Sequence, residues 1–142
     1  MASDWPQRVR FLGARPHDEL PRLYGAADAL VLASSREGWA NVLLEAMACG
    51  TPVVATRVWG TPEAVTEPAA GLLVPERTAA ALASGIRSLL TVAPERAATR
   101  RYAERFGWEP TSQGQLTLFR AMLARRAAHV PDKAAQAAVS RS

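Results

Sequence analysis

Cysteine and lysine are both scarce in this chain of 142 residues. The single cysteine, Cys49, excludes an internal disulfide bond, and its apolar neighbours predict a small buried side chain in a reducing compartment. Lys133 is the only lysine, so the net charge of +4 comes from arginine. Because the arginines are spread along the chain rather than gathered in one patch, we expect no nucleic-acid partner.

Long apolar runs are also absent. No segment approaches the ~18 consecutive apolar residues that a membrane span requires, and residues 1–10 contain no apolar core of the kind found in signal peptides. We therefore expect a cytoplasmic location and no transmembrane segment, with a peripheral membrane contact left open. The sequence also shows no Ser/His/Asp set, no Cys/His pair and no metal-ligand cluster, so neither nucleophilic hydrolysis nor a bound metal is supported.

Short apolar runs and helical patterns alternate along the chain. Short, largely apolar segments predict strands at 9–13, 29–33, 52–56 and 71–74, and the run at 29–33 is continuous, as is typical of a buried parallel strand. Apolar residues at helical spacing predict helices at 17–26, 42–49, 76–90, 94–106 and 108–123. The order predicts an α/β fold with a partial doubly wound, Rossmann-like parallel sheet of about four strands, flanked by helices. We further predict an irregular leader at 1–7, one domain at 8–126, and a flexible Ala-rich tail at 127–142.

The segment 34–52 (SSREGWANVLLEAMACGTP) directly follows the second predicted strand. Open α/β sheets bind ligands beyond the carboxyl ends of their strands. Glu45 lies about one turn inside the predicted helix, where its carboxylate can accept two hydrogen bonds from a vicinal diol such as a ribose. Glu37 precedes the helix, with seven residues between the two glutamates. The backbone N–H groups after Gly38 lie at the start of the helix, where an anion such as phosphate can bind.

A structural interpretation of the same residues stays open. Ser34-x-x-Glu37 fits a capping box, and a glutamate near a helix N-terminus is favourable in any protein. Gly38 counts against the capping box, since glycine is unfavourable in a first helical turn. The residue chemistry alone prefers neither interpretation. Nearby, we predict Tyr24 as a core residue, His17 as a capping or solvent-exposed residue, and Arg96 on a polar helix face.

Several motifs in order carry a family resemblance, namely EG, LLEAMACGTPVV and GTPE, with Glu37 and Glu45 as an E-x7-E element. Residues 9–123 resemble the C-terminal donor-binding half of a GT-B glycosyltransferase of the group-1/family-4 type. The resemblance implies transfer of a sugar from a nucleotide-diphosphate sugar, with retention and without a further cofactor or metal. It implies that Glu37 contacts the donor sugar and that Glu45 binds the ribose. It places the diphosphate on the amides of Gly38, Trp39, Ala40, Asn41 and Val42, and the base edge at Ala14 and Arg15.

The chain departs from that family before Val9. Family members have an N-terminal acceptor domain and earlier strands that carry an Arg and a Lys for the diphosphate, and nothing before Val9 resembles either part. We therefore expect a donor-binding part that is inactive alone, and whether the chain is itself an enzyme stays open. The alternatives are a partner chain that supplies the missing domain, a non-catalytic nucleotide-binding or interaction module, and an inert gene fragment. Trp59 also replaces the first of two glycines common in the family.

Overall fold

The computed structural model describes residues 8–129. The chain forms two compact units, Met1–Arg105 and Phe106–Ser142. The predicted leader at 1–7, and the predicted tail beyond residue 129, lie outside the described residues.

The first unit is an α/β structure, as predicted. Its elements in chain order are α1 (Leu20–Ala26), β1 (Leu30–Leu32), α2 (Asn41–Ala48), β2 (Val53–Thr56), α3 (Thr61–Ala64), β3 (Gly71–Val74), α4 (Ala79–Val92) and α5 (Arg96–Ala103). A 3-10 turn, His17–Glu19, precedes α1, and another, Glu104–Phe106, follows α5. The described strands form one parallel sheet of three strands in the order β1-β2-β3.

The central strand β2 is buried along its whole length. Val54 packs with Val74 of β3 and Leu89 of α4 in one apolar cluster. Because side chains alternate along a strand, Val53 and Ala55 point to the opposite face, and both are also fully buried. Both faces of β2 are therefore covered, which explains why its apolar run is continuous rather than alternating.

Two predictions about the sheet are wrong. No strand forms at 9–13, so the described residues contain three strands rather than about four. Every residue from 9 to 13 is exposed, Phe11 to 93%. A strand needs a hydrogen-bonded neighbour, and this segment pairs with none of β1 to β3. The strand β1 is also less buried than predicted, with Val31 41% exposed, because β1 lies at the edge of the sheet and, among the described strands, pairs only with β2.

The end of α2 follows the prediction, whereas the start of α4 does not. Gly50 has φ +79°, and its N–H donates to Met47 O at 2.8 Å while the N–H of Thr51 donates to Ala46 O at 2.9 Å. This Schellman motif stops the helix, and glycine adopts its left-handed conformation without strain.

The helix α4 begins three residues later than predicted. Its start is set by Thr78, whose Oγ1 accepts from the N–H of Ala81 at 3.2 Å.

The described part of the second unit consists mainly of α6 (Trp108–His129). The helix extends six residues beyond its predicted end at 123, into the segment predicted as a tail. On its surface Gln113 donates to Glu109 Oε1 at 2.8 Å, a pairing of residues four apart that supports a helix. Within residues 8–129, no helix combines the length and apolar content needed to cross a membrane.

Candidate functional site

The parallel register brings two loops to one edge of the sheet. Leu32 is paired with Ala55, so β1 and β2 end side by side. The segment 33–40 leaves β1 at this carboxyl edge and enters α2, while the segment 57–60 leaves β2 and enters α3. The prediction that the Glu37 segment lies at the carboxyl end of a strand is therefore confirmed, and this edge is where such sheets bind ligands.

Hydrogen bonds and a close approach join the two loops. Thr56 Oγ1 donates to Ser34 O at 2.6 Å, and the N–H of Gly60 donates to Glu37 O at 3.2 Å. A Cβ atom at Gly60 would overlap the carbonyl oxygen of Gly38, so only glycine fits here. The second loop thus holds the backbone of Glu37 and Gly38 in place.

The second loop is itself organised around the buried hydroxyl of Thr61. Thr61 Oγ1 accepts from the N–H of Val58 at 3.0 Å and lies 2.7 Å from Thr56 O, to which it can donate. Between these anchors, Trp59 has φ +39° and is 69% exposed. A left-handed tryptophan is strained, and this strain is sustained because the residues on both sides are bonded. Because its side chain is mostly exposed, Trp59 does not pack in the core.

Glu37 lies in the loop and not in a helix. Its Oε2 accepts from Ser34 Oγ at 3.2 Å, but α2 begins only at Asn41. The capping-box interpretation is therefore wrong, because a capping glutamate must lie in the first turn. The N-cap of α2 is Ala40, which makes no side-chain capping hydrogen bond. The N–H of Asn41, one of the predicted diphosphate donors, is already engaged with Trp39 O at 3.0 Å.

Glu45 is the fifth residue of α2 and lies about one turn inside the helix, as predicted. Tyr24 Oη donates to Glu45 Oε2 at 3.1 Å, and His17 Nε2 lies 3.6 Å from Glu45 Oε1. The carboxylate keeps 35% of its side-chain surface exposed. Two groups from α1 and the turn before it thus orient Glu45 while leaving it accessible to a ligand.

The environment of Tyr24 raises the pKa of its phenol. Partial burial is the largest cause, followed by the hydrogen bond to Glu45 and the negative charge of that carboxylate. The phenol therefore stays protonated at neutral pH and remains a hydrogen-bond donor to Glu45.

Sequence reasoning missed both partners of Glu45. Tyr24 was predicted in the core and His17 at the surface or as a cap, and no motif links either of them to α2. Tyr24 and Glu45 are 21 positions apart, so only the docking of α1 on α2 brings them together.

The base-edge candidates lie just before the turn that carries His17. Arg15 Nη1 lies 3.7 Å from Glu19 Oε2, and Ala14 is exposed. No group of three or more metal-ligating side chains occurs within residues 8–129.

Three features indicate the class of proteins to which this chain belongs. They are the parallel sheet, the glycine loop at the carboxyl edge of the sheet and the pair of glutamates. Residues 4–106 match the family described as glycosyl transferases group 1, and the chain belongs to that family. Its fold is of the GT-B type.

Relatives share a substantial part of the sequence. The D-inositol 3-phosphate glycosyltransferase of Corynebacterium urealyticum is 42% identical over 118 residues, which cover 80% of this chain and 28% of the relative. The enzyme of the same name from Segniliparus rotundus is 43% identical, over 78% of this chain and 25% of the relative. The chain thus spans about a quarter of the length of these curated relatives.

Solved structures show the same fold. Sucrose-phosphate synthase from Thermosynechococcus elongatus superimposes with a TM-score of 0.73 and 35% identity, over 84% of this chain and 31% of the other. Anabaena HepE, solved in complex with UDP, has a TM-score of 0.65 and 29% identity, over 82% of this chain and 33% of the other.

Proposed function

We propose that this chain binds a nucleotide-diphosphate sugar and forms the donor-binding part of a retaining glycosyltransferase. The observation that carries the proposal is Glu45, which Tyr24 and His17 orient on the first turns of α2 while about a third of its side chain stays accessible. Family membership supports sugar transfer. The UDP bound to HepE makes UDP the first nucleotide to test.

Glu45 is assigned to the ribose. An ionised carboxylate has about four acceptor positions. Tyr24 occupies one of them at 3.1 Å, and the remaining positions suffice for both hydroxyls of a vicinal diol. Hydrogen bonds to a charged acceptor are among the stronger ones in proteins, so this contact should account for a large part of nucleotide affinity.

Glu37 is assigned to the donor sugar, and the segment 38–42 to the diphosphate. The start of α2 has no side-chain cap, and backbone N–H groups at a helix start attract negative charge together with the helix dipole. The same groups would stabilise the charge that develops on a departing diphosphate. The diphosphate would share the amide of Asn41 with Trp39 O.

Calorimetric titration with UDP, GDP and ADP tests the donor site. We expect one of them to bind, and Glu45→Gln to weaken that binding about 10-fold or more, as expected for a hydrogen bond to a charged group. Glu104→Gln is the matched control, since Glu104 pairs with Arg100 on α5 and not with α2. Equal affinities of wild type and Glu45→Gln would remove the ribose assignment.

The chain alone is proposed to bind the donor without transferring the sugar. The reason is that the chain spans about a quarter of the length of its curated relatives. A transfer assay with a radiolabelled nucleotide sugar and simple acceptors tests this point, and turnover by the chain alone would refute it.

A further inference from the structure

Arg96, the first residue of α5, reaches the C-terminal end of α1. Its Nη1 donates to Ala27 O at 3.0 Å, and its Nη2 donates to Gly25 O at 2.6 Å and to Thr51 Oγ1 at 3.0 Å. Thr51 in turn donates from Oγ1 to Tyr24 O at 2.6 Å. The guanidinium and one hydroxyl therefore engage the carbonyl oxygens of three residues at this helix end.

These bonds matter because α1 is weak on its own. It has seven residues, two of them Pro21 and Gly25, and isolated helices of this length are unstable in water. The last carbonyls of a helix lack intrahelical donors, and a cation there is favourable. Tyr24 lies in this last turn, so the position of its hydroxyl depends on how the helix end is held.

We propose that Arg96 is a positioning residue for Glu45. By holding the C-terminal carbonyls of α1, Arg96 keeps the Tyr24 hydroxyl on Glu45 Oε2 and so orients the carboxylate from a different helix. The geometry needs a guanidinium, since two of its nitrogens serve three acceptors at fixed angles, whereas a lysine ammonium is a single point charge. The effect on nucleotide affinity rests on the proposed function, while the effect on Tyr24 does not.

The test compares Arg96→Ala, Arg96→Lys and Arg100→Ala. Arg100 is the matched control, because it lies on the same helix as Arg96. Within the described part of the chain, the side chain of Arg100 pairs with Glu104 and not with α1. The first measurement is the pKa of Tyr24, which is determined by NMR titration of ¹³Cζ-labelled tyrosine. The signal of Tyr24 is assigned by comparison with the Tyr24→Phe variant. The second is the affinity for UDP.

We expect Arg96→Ala to lower the pKa of Tyr24 towards its ordinary value and to weaken UDP binding about 2- to 30-fold, the range seen for residues that act through others. Arg96→Lys should retain part of the raised Tyr24 pKa and part of the UDP affinity, and Arg100→Ala should change neither the pKa nor the affinity. A lower melting temperature with an unchanged Tyr24 pKa would show a merely structural role and overturn the proposal.

The Arg96→Lys variant provides the test if Arg96→Ala does not fold. If circular dichroism shows Arg96→Ala to be unfolded, Arg96→Lys carries the test, and an unchanged Tyr24 pKa in that variant overturns the proposal. If the wild-type chain binds no nucleotide while Arg96→Ala still lowers the Tyr24 pKa, the positioning role stands and the proposed function fails.

Discussion

Glu45 accepts a hydrogen bond from Tyr24, which precedes it by 21 positions, and its other carboxylate oxygen lies near His17. A glutamate side chain is flexible, and ordering it costs conformational entropy. Fixing the carboxylate before a ligand arrives reduces the cost of binding. At the scale of single residues, the candidate site therefore depends on α1 as much as on α2.

Glu45→Gln should lower the pKa of Tyr24. The variant removes the negative charge and the charged acceptor, so the pKa should fall but stay above its ordinary value of about 10, because burial remains. Since the folded-state pKa is raised, the contribution of this group to stability is present below pH ~10 and is lost as pH rises through the folded-state pKa.

Tyrosine NMR titration measures this pKa, and alkaline unfolding curves measure the stability. Wild type should lose more stability than Glu45→Gln above pH ~10. Identical Tyr24 pKa values in the two proteins would contradict the hydrogen bond.

Thr61→Val should destabilise the first unit by about 1–3 kcal/mol, because the variant keeps the shape and leaves the N–H of Val58 without its acceptor. Chemical denaturation measures the difference. Thr91→Val is the control: Thr91 Oγ1 donates to Arg87 O at an exposed position, so its loss should stay within about 0.5 kcal/mol. Equal losses for the two variants would argue against Thr61 as the anchor of the loop.

At the scale of elements, α2 carries both the candidate anion site and Glu45, the glutamate proposed to bind the ribose, and its two ends are specified differently. Its start has no side-chain cap, whereas its end is a full Schellman motif at Gly50. A Cβ atom at Gly50 would lie 3.0 Å from Arg96 O, so the end of α2 also touches the start of α5. The stop signal and the docking of α5 therefore coincide at one glycine.

Gly50→Ala should cost about 1–2 kcal/mol from the left-handed backbone, with a further cost from crowding against Arg96. Gly25→Ala is the matched control, because Gly25 is helical and faces open space. That substitution should be neutral or should stabilise by about 0.5–1 kcal/mol. Thermal and urea unfolding measure both, and a Gly50→Ala variant as stable as Gly25→Ala would refute the account of the helix end.

At the scale of the whole molecule, every candidate site residue lies in the first unit, Met1–Arg105. A ligand that binds only the folded form stabilises it by mass action, by about 2.7 kcal/mol at 100 times Kd. The charge of +4 is spread over many arginines, so whole-chain charge alone does not select a donor nucleotide.

UDP should slow hydrogen exchange in residues 34–61 and leave α6 unchanged. The reason is that both candidate loops and α2 lie within this segment. Exchange measured by mass spectrometry with and without UDP checks the expectation, with Glu45→Gln at the same UDP concentration as the control. Protection confined to α6 would move the nucleotide away from the proposed site.

The sheet shows where prediction from the sequence succeeds and where it fails. The run at 52–56 became β2 because a strand buried on both faces needs continuous apolar residues, which a sequence displays directly. The segment at 9–13 is also largely apolar apart from Arg10, but Phe11 is 93% exposed and no strand forms. Apolar content favours a strand, but a hydrogen-bonded neighbour decides it, and pairing is not a local property.

The amino-acid sequence by itself determined the order of α1, β1, α2, β2, β3 and the helices that follow β3. It also determined the end of α2 at Gly50 and the place of Glu37 and Glu45 before and within one helix. Each of these depends on backbone preference or periodicity over a few neighbouring residues. Only the tertiary structure decided that Tyr24 holds Glu45 and that Arg96 holds the end of α1. Such contacts join segments 21 to 71 positions apart, and their geometry follows from how the helices pack.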